Sequence, residues 1–291
     1  MKNLLVKALS RPHRAPAMAA AAAQLHPLRA HPNATVRALI EASWQALMGQ
    51  YSVEDAAAVA AVEAVRQRAL RCQDKLTIED YGAGSPDATL TADQMAQGRV
   101  IHRTVAQACQ MASKRPFEAA LLWHLIRTWR PRKCIELGCC VGISASYQAR
   151  ALHLNGDGGQ LWTLEGAPAF AEVATRHFAE QGLSNVAAVV GRFQDTLDGV
   201  LHTQGPIDYA FIDGHHDEAA TLRYCDQILP RCASRAVLVF DDIAWSKGMR
   251  RAWRHLAADP RFAVTIDCGE IGVCATDPDV THPVRLRAVL G

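Results

Sequence analysis

The sequence predicts an α/β fold: a doubly wound, mainly parallel sheet of about seven strands, preceded by an α-helical extension. Three observations carry this expectation. From residue 132 onward, short apolar runs alternate with helix-patterned segments, and such alternation builds βαβ units around a parallel sheet covered on both faces. Four of the first five runs end in acids, at Glu136, Glu165, Asp213 and Asp241-Asp242, where sheets of this class hold their ligands, beyond the carboxyl ends of the strands. Before residue 75 the apolar residues instead recur at helical spacing.

Residues 1–32 mix Ala, Pro, His and Arg without periodicity and read as a flexible basic arm. Residues 33–115 read as a helical extension with a lid loop. Asn33 precedes Val36, Leu39, Ile40, Trp44 and Leu47, a helical series that stops at Gly49. Ser52, with Asp55 three residues on, starts a second helix through Val59, Val62, Val65 and Leu70, in the manner of a capping box. A Gly/Ser/Pro/Asp loop covers Tyr81–Ala88, and further helices are expected around Ala92–Ser113 and Pro116–Trp129. Residues 116–291 form the ligand-binding domain. Its strand-like runs are Cys134–Leu137, Leu161–Leu164, Val186–Val190, Tyr209–Ile212 and Ala236–Phe240, with β-like pieces at Ala263–Ile266, Ile271–Ala275 and Val284–Ala288.

Composition narrows the function. The chain has 291 residues, 49% hydrophobic and 21% charged, with a net charge of +2. Residues 1–40 hold six Lys/Arg and no acid, so the remaining body carries a net −4, a sign unsuited to a nucleic-acid groove. No apolar run approaches the ~20 residues that span a bilayer. The nine cysteines are odd in number and fit no zinc spacing. Reduced, buried thiols in a cytoplasmic protein are the expectation.

Cys134–Ser144 reads CIELGCCVGIS: a strand, a turn with Gly138 and Gly142, then a helix. Glycines let such a turn bend tightly and let backbone approach a ligand. The spacing is G-x-x-x-G rather than the dinucleotide G-x-G-x-x-G. The next strand ends LWTLEG, placing Glu165 where a carboxylate can accept both hydroxyl hydrogens of a ribose. Glu136 stands just ahead of the turn, placed to orient it or to face a ligand cation.

With these residues the chain resembles class I S-adenosylmethionine-dependent methyltransferases, which have a Rossmann-like fold. The resemblance implies a cofactor site of Glu136, Gly138, Cys139, Cys140, Gly142, Ser144, Glu165, Gly166, Phe193, Gln194 and Asp213. VVGRFQDTL (Val189–Leu197) looks like the adenine-flanking segment of catechol O-methyltransferase-like enzymes. DYAFIDGHH (Asp208–His216) and VLVFDDIAWSKG (Val237–Gly248) look like the segments carrying their metal-binding acids. The stretches DYGAGS (Asp80–Ser85) and FDDIAWSKGM (Phe240–Met249) are similar to those of a largely uncharacterised bacterial subgroup.

The resemblance implies S-adenosyl-L-methionine, methyl transfer to a hydroxyl of a small-molecule acceptor, and a divalent metal, Mg²⁺ foremost, on Asp213, Asp241 and Asp242. Three carboxylates converging without a basic partner would repel one another, and a hard cation relieves this. The third position, Asn in that family, is Asp242 here. The family's base, a Lys three residues after the first acid, is replaced by His216, a group that titrates near neutrality. Lys247 could bind an acidic substrate or pair with the aspartates, and Trp245 could line the acceptor pocket; His215, the neighbour, would point elsewhere. The helices before residue 75 could serve a homodimer, and neither nucleic acid nor membrane is expected as a partner. Two other readings stay open: a nicotinamide-dependent oxidoreductase, which leaves the acid cluster without a role, and a non-catalytic cofactor-binding protein.

Overall fold

The computed structural model describes residues 15–82, 84–85 and 88–289. The first 14 residues of the expected arm, and Ala83, Pro86 and Asp87 of the expected lid loop, lie outside the described residues.

The rest of the arm is not flexible chain. Ala15–Leu25 forms helix α1, followed by a 3-10 turn over His26–Ala30, and Ala21 and Leu25 enter the core. An alanine run has high helix propensity, and burial of two of its side chains supplies what propensity alone cannot in a short helix. Helix α2 (Ala34–Met48) starts where the Asn33 side chain accepts the Val36 N–H at 3.0 Å and ends at left-handed Gly49. Helix α3 (Val53–Ala69) starts at Ser52, which accepts the Asp55 N–H at 3.0 Å. Both caps satisfy backbone donors that a helix start leaves free.

Residues 92–113 differ from expectation. They form a short helix α4 (Ala92–Gln97), a strand β2 (Arg99–Thr104) and a helix α5 (Val105–Ala112). Gly98, at φ +66°, ends α4, and Tyr81 packs where its Cβ would stand. RVIHRT then has the alternating, β-branched character of a strand. Two Thr-x-x-Gln capping boxes, at Thr91/Gln94 and Thr104/Gln107, restart the helices. β2 pairs antiparallel with β1 (Lys75–Asp80), a strand that the sequence reading passed over.

Helix α6 (Pro116–Trp129) leads into a sheet of eight strands, one more than expected. They are β3 (Lys133–Leu137), β4 (Gln160–Glu165), β5 (Val186–Val190), β6 (Ile207–Ile212), β7 (Cys232–Phe240), β8 (Val264–Asp267), β9 (Gly272–Thr276) and β10 (Val284–Arg287). Helices α7 (Ile143–Asn155), α8 (Pro168–Glu180), α9 (Phe193–Gln204), α10 (Glu218–Ile228) and α11 (Lys247–Ala258) link the first six of them. The order is β10-β8-β9-β7-β6-β3-β4-β5. Only β9 runs antiparallel to its neighbours, and the added edge strand β10 pairs parallel with β8.

Alternate residues of a strand serve opposite faces, and both faces are covered here. Tyr209, Phe211, Val237 and Val239 join the core under α2, α6 and α7, whereas Ala210, Ile212, Leu238 and Phe240 join that under α9, α10 and α11. The N-terminal extension belongs to the first face, with α2 packed along α6 and α3 against α7. Chain order reverses at β3, whose neighbours are β4 on one side and β6 on the other. Such a switch point opens a crevice at the strand ends. Among the described residues, no helix is long and apolar enough to cross a membrane.

Candidate functional site

A cavity of about 730 Å³ lies at that crevice, a size typical of small-molecule sites. One side of it is made by the βα turns after β3 and β4 and the other by those after β6 and β7, with Tyr81, Gly82 and Arg103 from the β1/β2 region also in the lining.

The β3 turn is shaped by packing. Gly138, at φ +94°, lies so close to β6 that a Cβ would collide with the Asp213 carbonyl. Gly142, at φ +81°, would place a Cβ 2.8 Å from that of Ala174 and 2.9 Å from the Phe178 ring. These two glycines are therefore required by contact between elements, and Gly142 does not line the cavity. Glu165 ties the two turns together: its carboxylate accepts the Cys140 N–H at 2.8 Å and the Ala167 N–H at 2.9 Å. Glu165 also lines the cavity. Burial pushes its pKa up, against the pull of those amides.

Glu136 lies beneath the turn, fully buried and outside the lining. It accepts from Gln148 at 2.8 Å and Thr163 at 2.5 Å, and burial pushes it up to about 7. Its place is that of a turn support. Gly138, Cys139, Cys140, Ser144, Gly166 and Phe193 line the cavity. Gln194 does not; it is exposed one position beyond buried Phe193.

The opposite wall holds the acids. Backbone N–H groups of Asp213 and Asp241 continue the sheet ladder to Leu137 and Ile212, at 2.9 Å each, which sets the two residues side by side. They are not without a basic partner. Lys114, from the segment joining α5 to α6, places its Nζ 2.9 Å from Asp213 Oδ2 and in direct contact with Asp241 Oδ2. Its side chain is 11% exposed. Burial works to lower the Lys114 pKa, but the charges of Asp213 and Asp241 outweigh it and raise it well above the ordinary value. Asp241 also feels burial, yet the ammonium holds it below the usual carboxylate range. Asp213 is pushed up by burial and by Asp241, and Asp242 to about 7 by the same two causes.

Asp242 faces His216, whose Nδ1 is 3.4 Å from Asp242 Oδ2 and whose Nε2 is 3.9 Å from Asp213 Oδ1. Burial depresses His216 to about 4, leaving the imidazole neutral near pH 7. His215 also lines the cavity, with its Nδ1 2.6 Å from the Tyr224 hydroxyl. Trp245 lines the cavity with its ring 5.6 Å from that of His216. Lys247 stands exposed at the start of α11, outside the lining. Cys140, His215, His216 and Asp242 all have positive φ, between 47° and 66°. Strain of this kind in non-glycine residues, about 1–3 kcal/mol each, collects at functional sites.

The donor set tests the expected magnesium. Mg²⁺ demands a near-octahedral oxygen shell that includes its own waters, and the ammonium already occupies the space between Asp213 and Asp241. The trio Asp213, Asp241 and Asp242 therefore does not fit that ion. One ligand atom each of Asp213, His216 and Asp242 does lie within 4.8 Å of the others, but this set includes a nitrogen and shares Asp213 with Lys114.

Comparison with known proteins agrees with this architecture. Residues 135–243 match a family described as a methyltransferase domain. A catechol O-methyltransferase of Niastella koreensis is 31% identical over 130 residues, covering 44% of this chain and 57% of the relative. The chain thus spans little more than half the length of that relative. Among solved structures, a putative caffeoyl-CoA O-methyltransferase from Staphylococcus aureus superposes with a TM-score of 0.51 at 15% identity, over 59% of this chain and 88% of that one. An SAH-bound methyltransferase from Podospora anserina gives 0.50 at 17%, over 58% and 81%. The turn between β3 and α7, the acid closing β4 and the acids closing β6 and β7 all fall within the matched segment.

Proposed function

We propose that this chain transfers the methyl group of S-adenosylmethionine to a hydroxyl oxygen of a small molecule. The observation that carries this reading is the convergence, in one cavity, of Glu165 on one side and His216 with Asp213 and Asp242 on the other. Glu165, a carboxylate in the cavity lining, suits the two ribose hydroxyls. Phe193 offers an apolar wall for the adenine, and its ring is itself held edge-on by Tyr224 and His215.

The cofactor supplies an electrophilic sulfonium methyl, so the residues of the chain need only position the acceptor and remove its proton. His216 is neutral and can take that proton. With Nδ1 toward Asp242, the hydrogen of the neutral ring belongs on that nitrogen, and the Nε2 lone pair is free to act as the base. Asp242, once ionised, then stabilises the imidazolium that forms beside it. Trp245, tilted against His216 with the ring centres 5.6 Å apart, gives the acceptor an aromatic wall. The acceptor is a phenol or catechol in this reading, in keeping with the Niastella relative. No step is assigned to a metal.

Calorimetric titration with S-adenosylhomocysteine, followed by transfer of labelled methyl to a phenol panel beginning with catechol, tests the proposal. Micromolar binding and a labelled methyl ether are the expected results. Absence of binding would overturn the reading.

A further inference from the structure

The acid cluster has a cation already built into it. We propose that Lys114 is the resident cation of the site, taking at Asp213 and Asp241 the place a divalent ion would hold, so that methyl transfer in this chain needs no metal. This rests on the function proposed above.

The seat of Lys114 is constructed rather than accidental. The residue lies in a short connector, yet its carbonyl is fixed by Arg66 of α3, which donates from Nη1 at 2.6 Å. Arg66 is in turn held by Glu63 at 2.9 Å, and its side chain is only 10% exposed. Burying a long ammonium costs several kcal/mol unless its charge is matched. Here two carboxylates from adjacent strand ends match it. A divalent ion sharing those carboxylates would stand within a few ångströms of a fixed positive charge, where like charges repel strongly.

An ammonium has three N–H donors. Two are turned to Asp213 and Asp241, and Lys114 also lines the cavity, so the third is free for the acceptor oxygen. The step then balances. The acceptor O–H gives its proton to His216 Nε2, and the oxygen lone pair forms a bond to the methyl carbon. The carbon–sulfur bond breaks, its electron pair remaining on sulfur as the neutral thioether. Lys114 steadies the charge on oxygen and keeps its own proton throughout. The helical extension thus supplies Asp213 and Asp241 with their cation.

Manganese binding, read from the electron paramagnetic resonance signal of free Mn²⁺, tests this directly on the full chain with S-adenosylhomocysteine present. The wild-type chain is expected to leave Mn²⁺ free, whereas Lys114→Met, which vacates the space between the acids, is expected to bind it. The same substitution should lower transfer to a phenol by about 10²–10³-fold, the effect of losing one donor to a developing oxyanion, with affinity for S-adenosylhomocysteine unchanged. Binding of one Mn²⁺ per wild-type chain, with transfer lost in excess EDTA and restored by Mg²⁺, would overturn the proposal. Failure of the wild type to bind S-adenosylhomocysteine would overturn the functional reading alone, because the manganese comparison between the two chains still decides which cation the cluster was built for.

Discussion

The two walls of the cavity are organised by different physics. The wall after β3 and β4 is a matter of backbone: left-handed glycines, close contacts between elements, and one carboxylate stitched to two amides. The wall after β6 and β7 is a matter of charge: three acids and a histidine around one buried ammonium. The first is assembled by neighbouring βα units. The second is completed only by a residue 127 positions away in sequence from one of its partners. Backbone geometry leaves marks in a sequence, whereas a charge partner brought from afar leaves none.

That difference can be broken experimentally. The largest effect is expected at the charged wall: Asp213→Ala should reduce methyl transfer by about 10²–10⁴-fold, the usual range for proton-transfer machinery, with S-adenosylhomocysteine affinity little changed. Equal losses in both would mean that the walls are not separable. Gly138→Val strikes where they touch, since its side chain would run into the Asp213 carbonyl. A cost of about 3 kcal/mol or more is expected from overpacking and backbone strain together. It should appear as a lower melting temperature and as loss of both binding and transfer.

Glu165→Ala should weaken S-adenosylhomocysteine binding by about 1–3 kcal/mol through lost hydrogen bonds to a charged group. Calorimetry would show this, and an unchanged affinity would displace the ribose from this wall. The smallest effect is expected far from both walls. Asp277 accepts from Thr35 at 2.6 Å, Asn33 at 3.1 Å and Arg235 at 3.2 Å, joining the start of α2 to the end of β9 and to β7. Although burial opposes it, this set of donors holds the carboxyl down to about 2. A carboxyl lowered on folding stabilises above its unfolded pKa of about 3.9 and loses that contribution as pH falls toward the folded value. The melting-temperature gap between wild type and Asp277→Asn should therefore be full at neutral pH and close between about pH 4 and pH 2.

The sequence was legible in proportion to how local each cause is. The parallel sheet and the strand-end acids follow from apolar runs and their punctuation, and all eight runs became strands. Gly142 was read as a ligand contact, although its need for no side chain comes from Ala174 and Phe178, some thirty residues away. β2 was read as helix because it is short and flanked by helical segments, though Gly98 and the two Thr-x-x-Gln boxes marked its limits. Lys114 gave no signal. In SKRP it reads as a solvated lysine before a proline-started helix, and only the tertiary fold turns it into the acids.

Cys139 and Cys140 stand in the turn that lines the cavity. Burial first, and then the charge of Glu165, pushes both thiols far up from their ordinary pKa. A thiolate is a far better nucleophile than a hydroxyl, and a sulfonium methyl is an alkylating agent. In the proposed reaction an ionised sulfur in that turn would compete with the acceptor for the methyl. Held as neutral thiols the two are poor nucleophiles, so the burial that closes the turn would also suppress that competing reaction.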